Sequence, residues 1–374
     1  MIGLRLFIGS GVVAILIASV PPIVVTCVAG QEPAAAAGAY TPGRTPWGDP
    51  DLQGVFDFQS DVPFQRPLDL GNKTVFASPE EKAAYRRRAG INQAPPTRPA
   101  APDVGSYGAE WTPRNVVPNL RTSLLQDPPD GRLPPMTPEA LKKYQALTNY
   151  RRVHLNSYDT YEDVATYERC ISRPMPRINQ GYNSGTLIVQ SPGWVVFLYE
   201  QFDTRIIPLD GRPHVDSKIR QWNGDSRGHW ERNTLVVDTT NLSDNQKGFP
   251  PAEQLRDGKE GLVTTGSPLG DNIPVGPYDE LGRSGYPQGN FHLIERYTPI
   301  DANTMNYEAT IDDPTTWTKP FTYLMPWRRE TDYQIFEYAC HEANYGLRNA
   351  LSAARYQEKL AAEAAKKKGK RGSK

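Results

Sequence analysis

From Gly185 onward, apolar and polar residues alternate in short runs that end at turn-forming pairs. LIVQSPGWVVFLYEQFDTRIIPLDG gives a strand, a Pro-Gly turn, a strand, a tight turn, a third strand and an Asp-Gly turn. GHWERNTLVVDTTN predicts a second hairpin. FHLIERYTPIDANTMNYEATIDD predicts a third, turning at Asp301-Ala302-Asn303. FTYLMPWRRETDYQIFEYACHE predicts a fourth, turning near Glu330-Thr331-Asp332. Strands of this length at this spacing point to an antiparallel all-β domain. The expected fold is therefore mainly β. It is an antiparallel meander closing into a lipocalin-like barrel, with a two-layer sandwich as second choice. Closure is expected because it removes exposed strand edges.

The rest of the chain lacks this period. A short strand is expected over Leu52 to Phe58. Ser78-Pro79-Glu80-Glu81 is a helix start with Ser78 as N-cap, predicting a helix from Pro79 to about Ala89. Thr137-Pro138-Glu139-Ala140 repeats the pattern, for a helix to about Asn149. ANYGLRNALSAARYQEKLAAEAAKKK reads as a C-terminal helix packing through Leu347, Leu351, Ala354 and Tyr356. In order, the expected segments are a signal peptide over 1–30, a linker over 31–46 and a Pro-rich arm over 47–184. A β domain over 185–343 follows, with a long loop at 246–288. The helix is expected over 344–365 and a basic, disordered tail over 366–374.

Composition sharpens this in three ways. Of the 35 prolines, 17 fall between Thr41 and Ala140, so the first third is loop-rich. The opening MIGLRLFIGSGVVAILIASVPPIVVTCVAG carries one charge, Arg5, an apolar stretch broken by Pro21-Pro22, and small residues at Val28-Ala29-Gly30. That order is a secretory signal peptide, ahead of a membrane anchor or an acylation site at Cys27. The protein is expected in the periplasm or outside the cell. The formal charge is zero overall. Setting aside Arg5 and the six cations of AAKKKGKRGSK leaves about seven net negative charges on the body. No basic stripe suggests nucleic acid. The basic tail is suited to weak contact with an anionic envelope surface. A monomer is expected.

Two cysteines follow the signal, Cys170 and Cys340. In an exported chain they predict one disulfide, closing a loop long enough to contribute about 4–5 kcal/mol. No Cys-x-x-Cys, GxxxxGK[ST] or strand-linked GxGxxG occurs, so no cofactor is expected. His214, His292, His341 and Glu342 are numerous enough for a metal, but their spacing does not converge, and no metal is expected.

Candidate chemistry starts in the second hairpin. With Arg232-Asn233 as a two-residue turn, Asn233 taking the left-handed conformation, Glu231 pairs with Thr234, Trp230 with Leu235 and His229 with Val236. His229 then stands diagonal to Asp238, a dyad suited to acid–base work. His341 with Glu342 is the second candidate pair. Trp222, His214, Arg296 and Tyr345 are candidate ligand-binding residues. Glu337, His341 and Glu342 are placed to meet Arg296, and the disulfide to hold that corner against Arg169 and Arg173. Ser226 lies in a Gly-x-Ser-x-Gly, but a hairpin follows where a nucleophile elbow needs a helix.

Trp222, Gly224, Ser226, Gly228, Trp230 and Glu231, followed by Thr234-Leu235-Val236-Val237-Asp238-Thr239, resemble a large family of exported bacterial proteins of unknown function. PWGDPDLQGVF, DPPDGRLPPMTPEA, SPGWVVFLYE, LDGRPH, TIDDP and EYACHEANYG extend the resemblance over most of the chain. It implies export and a common fold, and no activity. Three functions stand open: binding of a small apolar or carbohydrate-like ligand, a cofactor-independent hydrolase or lyase using a His–carboxylate pair, and a structural envelope protein. The first is expected.

Overall fold

A computed structural model describes residues 40–58, 60–89, 119–142, 146, 160–161, 166, 169–173, 175–177, 183–243 and 291–372. The expected signal peptide, most of the linker, the loop 246–288 and most of the second helix lie outside the described residues. Of that second helix, 138–142 are helical, and Ala140 N donates to the Thr137 hydroxyl at 3.2 Å.

The described chain is mainly β. Ten strands form one antiparallel sheet: β1 Gly54–Asp57, β2 Leu125–Asp127, β3 Gly185–Ser191, β4 Trp194–Tyr199, β5 Thr204–Pro208, β6 Asp225–Glu231, β7 Thr234–Thr240, β8 His292–Pro299, β9 Thr304–Asp312 and β10 Phe321–Glu330. The order is β5-β4-β3-β1-β10-β9-β8-β7-β6, with β2 on β10. Helix α1, Pro79–Arg88, begins as expected, with the Ser78 hydroxyl accepting from Glu81 N at 3.3 Å. Helix α2, Gly346–Gly372, continues through much of the tail expected to be disordered.

Three expectations need correction. The fourth hairpin does not form: β10 ends at Glu330, and residues 331–345 pair with no strand. β10 pairs instead with β9 and β1, so the arm contributes a strand to the middle of the sheet. The left-handed turn residue is Arg232, at φ 57°, rather than Asn233; the Asn233 carboxamide oxygen accepts from Arg44 at 3.1 Å. Finally, the sheet does not close into a barrel. β5 and β6 end the hydrogen-bonded order and no ladder joins them.

Side chains bridge that gap. Inward faces of the strands alternate with half-exposed ones, as in β4 and β9. The interior is filled by aromatics: Phe197 stands 4.9 Å from Tyr297, Tyr297 5.0 Å from Tyr307, and Tyr307 5.0 Å from Trp327, all fully buried. Among them lies a buried ion pair. Arg205 of β5 donates to Glu295 of β8 at 2.6 and 3.1 Å, to Ser226 of β6 at 2.9 Å, to Thr239 of β7 at 3.0 Å and to the Tyr199 hydroxyl at 3.3 Å. The Tyr297 and Tyr307 hydroxyls both donate to Glu295 at 2.9 Å. Burial works to lower the Arg205 pKa, but the Glu295 carboxylate and neighbouring tyrosines carry it well above its usual value. Edge meets edge closely here. A Cβ on Gly228 would lie 2.6 Å from the Leu209 side chain and 2.9 Å from the Ile207 side chain, so a larger residue here would have to displace both.

The disulfide Cys170–Cys340 forms, with Cα atoms 5.6 Å apart across 170 residues. It ties the segment leading to α2 to the 169–173 segment, which Ser172 and the Arg173 N–H fasten to Asp203 between β4 and β5. Asn344 continues the tie, approaching Cys170 Sγ at 3.0 Å and accepting from Gly346 N at 3.2 Å.

Two stability measurements test this frame. Arg205→Ala or Glu295→Ala leaves a buried charge unpaired and should cost about 3–5 kcal/mol in denaturant unfolding. The double replacement Arg205→Met with Glu295→Leu should cost less than either. Arg232→Gly relieves a left-handed side-chain residue and should raise stability by about 0.5–1 kcal/mol.

Candidate functional site

The strands that grip Arg205 on their inner face carry a second polar cluster on the outer one. In β6, β7 and β8, Ser226, Thr239 and Glu295 point inward. Their neighbours Asp225 and Asp238, with His292 at the start of β8, point outward. His214 reaches the same spot from the loop after β5.

Asp238 sits at the centre. One carboxylate oxygen lies 3.1 Å from His214 Nε2 and the other 2.9 Å from His292 Nε2. His214 Nδ1 lies 2.9 Å from Asp225 Oδ2, which also accepts from Val215 N at 3.0 Å. Arg227 holds the other Asp225 oxygen at 2.7 Å and reaches Pro213 O at 3.0 Å. Asn241 donates to Val215 O at 3.0 Å, which fastens the loop from a second side. Gly224 opens β6 at φ 70°, where a Cβ would stand 2.5 Å from Thr240 O; this turn aims Asp225 at the loop.

Access is graded. The Asp225 side chain is 8% exposed, His214 28%, His292 35% and Asp238 38%. Burial works to raise the Asp238 pKa, but the hydrogen bond from His292 and the charges of both imidazoles bring it below 3.8. The same hydrogen bond raises His292 above 6.5, against partial burial, with help from Asp238 and Asp312 charge. Asp312 is the cross-strand partner of His292 on β9. Both ring nitrogens of His214 face carboxylate oxygens, so both contacts are hydrogen bonds only when the ring carries two protons. His292 Nδ1 has no hydrogen-bond partner among the described residues.

The expected pairs are not brought together. His229 is exposed, and its Nε2 lies 3.3 Å from Glu231, not at Asp238. The register expected for this hairpin is observed, yet each member of the diagonal finds a nearer partner. Glu231 also binds Arg296 at 2.6 Å, so Arg296 does not meet Glu337, His341 or Glu342. His341 and Glu342 are exposed beside the disulfide, with no side-chain hydrogen bond among the described residues. Tyr345 is 61% exposed before α2, and Trp222 is half-buried in the turn before β6. Of the candidate ligand-binding residues only His214 joins the cluster. The sequence carries no local signal for Asp225, and it offers His292 only as a candidate metal ligand. Ser226 faces the interior, bound to Arg205 and Thr239. Among the described residues, no three His, Cys, Asp or Glu side chains are arranged to hold a metal ion.

No family model, curated protein or solved structure matches this chain.

The titrations give a signed prediction. His292 is raised, so its bond to Asp238 stabilises the fold fully below pH 6.5 and fades as pH climbs through the raised value. Asp238 is lowered, so its share is full above pH 3.8 and fades as pH falls through the lowered value. Asp238→Asn should therefore lower the thermal midpoint most between pH 3.8 and 6.5, with the gap to the parent narrowing on both sides. A gap constant with pH would contradict the assignment.

Proposed function

We propose that the protein is an exported, cofactor-independent acid–base enzyme, a hydrolase or lyase, working at the outer face of β6–β8. One observation carries this: a half-exposed carboxylate, Asp238, accepts from two imidazoles, one of which has no partner at Nδ1 among the described residues. The antiparallel sheet then serves as a scaffold and not as a container. The places an apolar ligand would take inside it are held by Phe197, Tyr297, Tyr307 and Trp327.

In this proposal His292 is the acid–base group. Asp238 fixes its orientation through Nε2 and stabilises the imidazolium, leaving Nδ1 to exchange a proton with substrate. The hydrogen bond and charge of Asp238 raise the His292 pKa, which favours the protonated ring and suits protonation of a leaving group. His214 holds the far side of Asp238, and Asp225 with Arg227 holds His214. These are positioning residues: they keep the carboxylate from rotating away from the ring.

The test is turnover by the folded protein on a panel of chromogenic esters and glycosides and of β-elimination substrates. His292→Gln should lower kcat for any substrate turned over by about 10²–10⁴-fold. Asp238→Asn should also shift the acidic or basic limb of the pH profile. Full turnover in His292→Gln, or no turnover of any class by the parent, would sink the proposal.

A further inference from the structure

Helix α2 is poorly explained as a packing element. Its 27 residues span about 40 Å. Only Leu347, Ala350, Leu351 and Ala354 are half-buried, a single stripe along the first two turns. From Arg355 to Lys368 every side chain is exposed. The helix thus runs on beyond its contacts with the described body, anchored at its base by Cys170–Cys340.

The projecting part has a face of its own. Tyr356 and Leu360, at a spacing of four, lie on one side of the helix, away from the Leu347–Leu351–Ala354 stripe. They are 59% and 40% exposed. Lys359, Glu363 and then Lys366, Lys367 and Lys368 follow, a net positive run, and none of these lysines forms an ion pair among the described residues. Arg355 is already engaged by Glu358 at 2.9 Å. The body, by contrast, is net acidic. No helix among the described residues is long and apolar enough to cross a membrane, so an apolar stripe flanked by lysines points to contact at a surface.

We infer that the outer half of α2 is a docking element for an anionic lipid bilayer. Tyr356 and Leu360 enter the headgroup boundary, and Lys359 and Lys366–Lys368 meet the lipid phosphates. Charge complementarity selects this occupant: an acidic body is repelled by such a surface and must make contact through a projecting cationic arm. The disulfide links the attachment to the 169–173 segment of the body.

The test uses the full chain with vesicles of phosphatidylcholine alone and of phosphatidylcholine mixed with phosphatidylglycerol, read by co-sedimentation. Binding should require phosphatidylglycerol and weaken with added salt. The triple substitution Lys366→Glu, Lys367→Glu, Lys368→Glu should weaken it by about a hundredfold or more. Tyr356→Ser with Leu360→Ser should weaken it further, with helix content unchanged by circular dichroism. Equal binding to both vesicles, or no effect of the triple substitution, would overturn the inference. So would concentration-dependent dimerisation abolished by the Tyr356 and Leu360 changes, since it would assign the stripe to a second copy.

Discussion

A single buried guanidinium does what backbone pairing does not. β5 and β6 are edges of one antiparallel sheet, and no ladder joins them. Arg205 crosses from β5 to Ser226, Thr239 and Glu295 on β6, β7 and β8. An isolated buried charge would be intolerable, so Arg205 and Glu295 each require the other. The tyrosine hydroxyls on Glu295 complete its hydrogen bonding, which leaves this pair few alternatives in register or partner.

That constraint reaches the outer surface through the period of two along a strand. A strand held with Ser226, Thr239 or Glu295 inward must hold Asp225, Asp238 or the Ile294 and His292 side outward. The interior ion pair and the exterior Asp225–His214–Asp238–His292 chain are two faces of the same register. A one-residue slip of β7 would turn Thr239 out and Asp238 in, losing both at once. The same strands therefore account for the close approach at Gly228 and for the left-handed turn at Gly224 that feeds His214 toward Asp225.

Much of this was legible where the interaction is local. The β6–β7 register followed from a two-residue turn, and the β8–β9 hairpin from Asp301-Ala302-Asn303. The helix start at Ser78 followed from capping chemistry. The disulfide followed from two cysteines in a chain read as exported. The site was not legible, because its members are joined by pairings that no local rule specifies. His292 meets Asp238 only because β8 lies beside β7 across some fifty intervening residues, and diagonal geometry within one hairpin suggested His229 instead. The insertion of β1 between β3 and β10 was hidden for the same reason. The last segment, YQIFEYACHE, carries strand-like alternation yet is held by the disulfide and by Tyr333 on Glu200, with no partner strand. Pattern reports the propensity of a segment; its neighbour is decided by long-range burial.

At the outer face Asp238 meets His292 Nε2 and raises the pKa of the ring. Imidazole carbon resonances of His292, followed by NMR as pH is raised, test that most directly. The midpoint should lie above 6.5 in the parent protein and fall back toward that value in Asp238→Asn. A midpoint at the ordinary value in both proteins would contradict it.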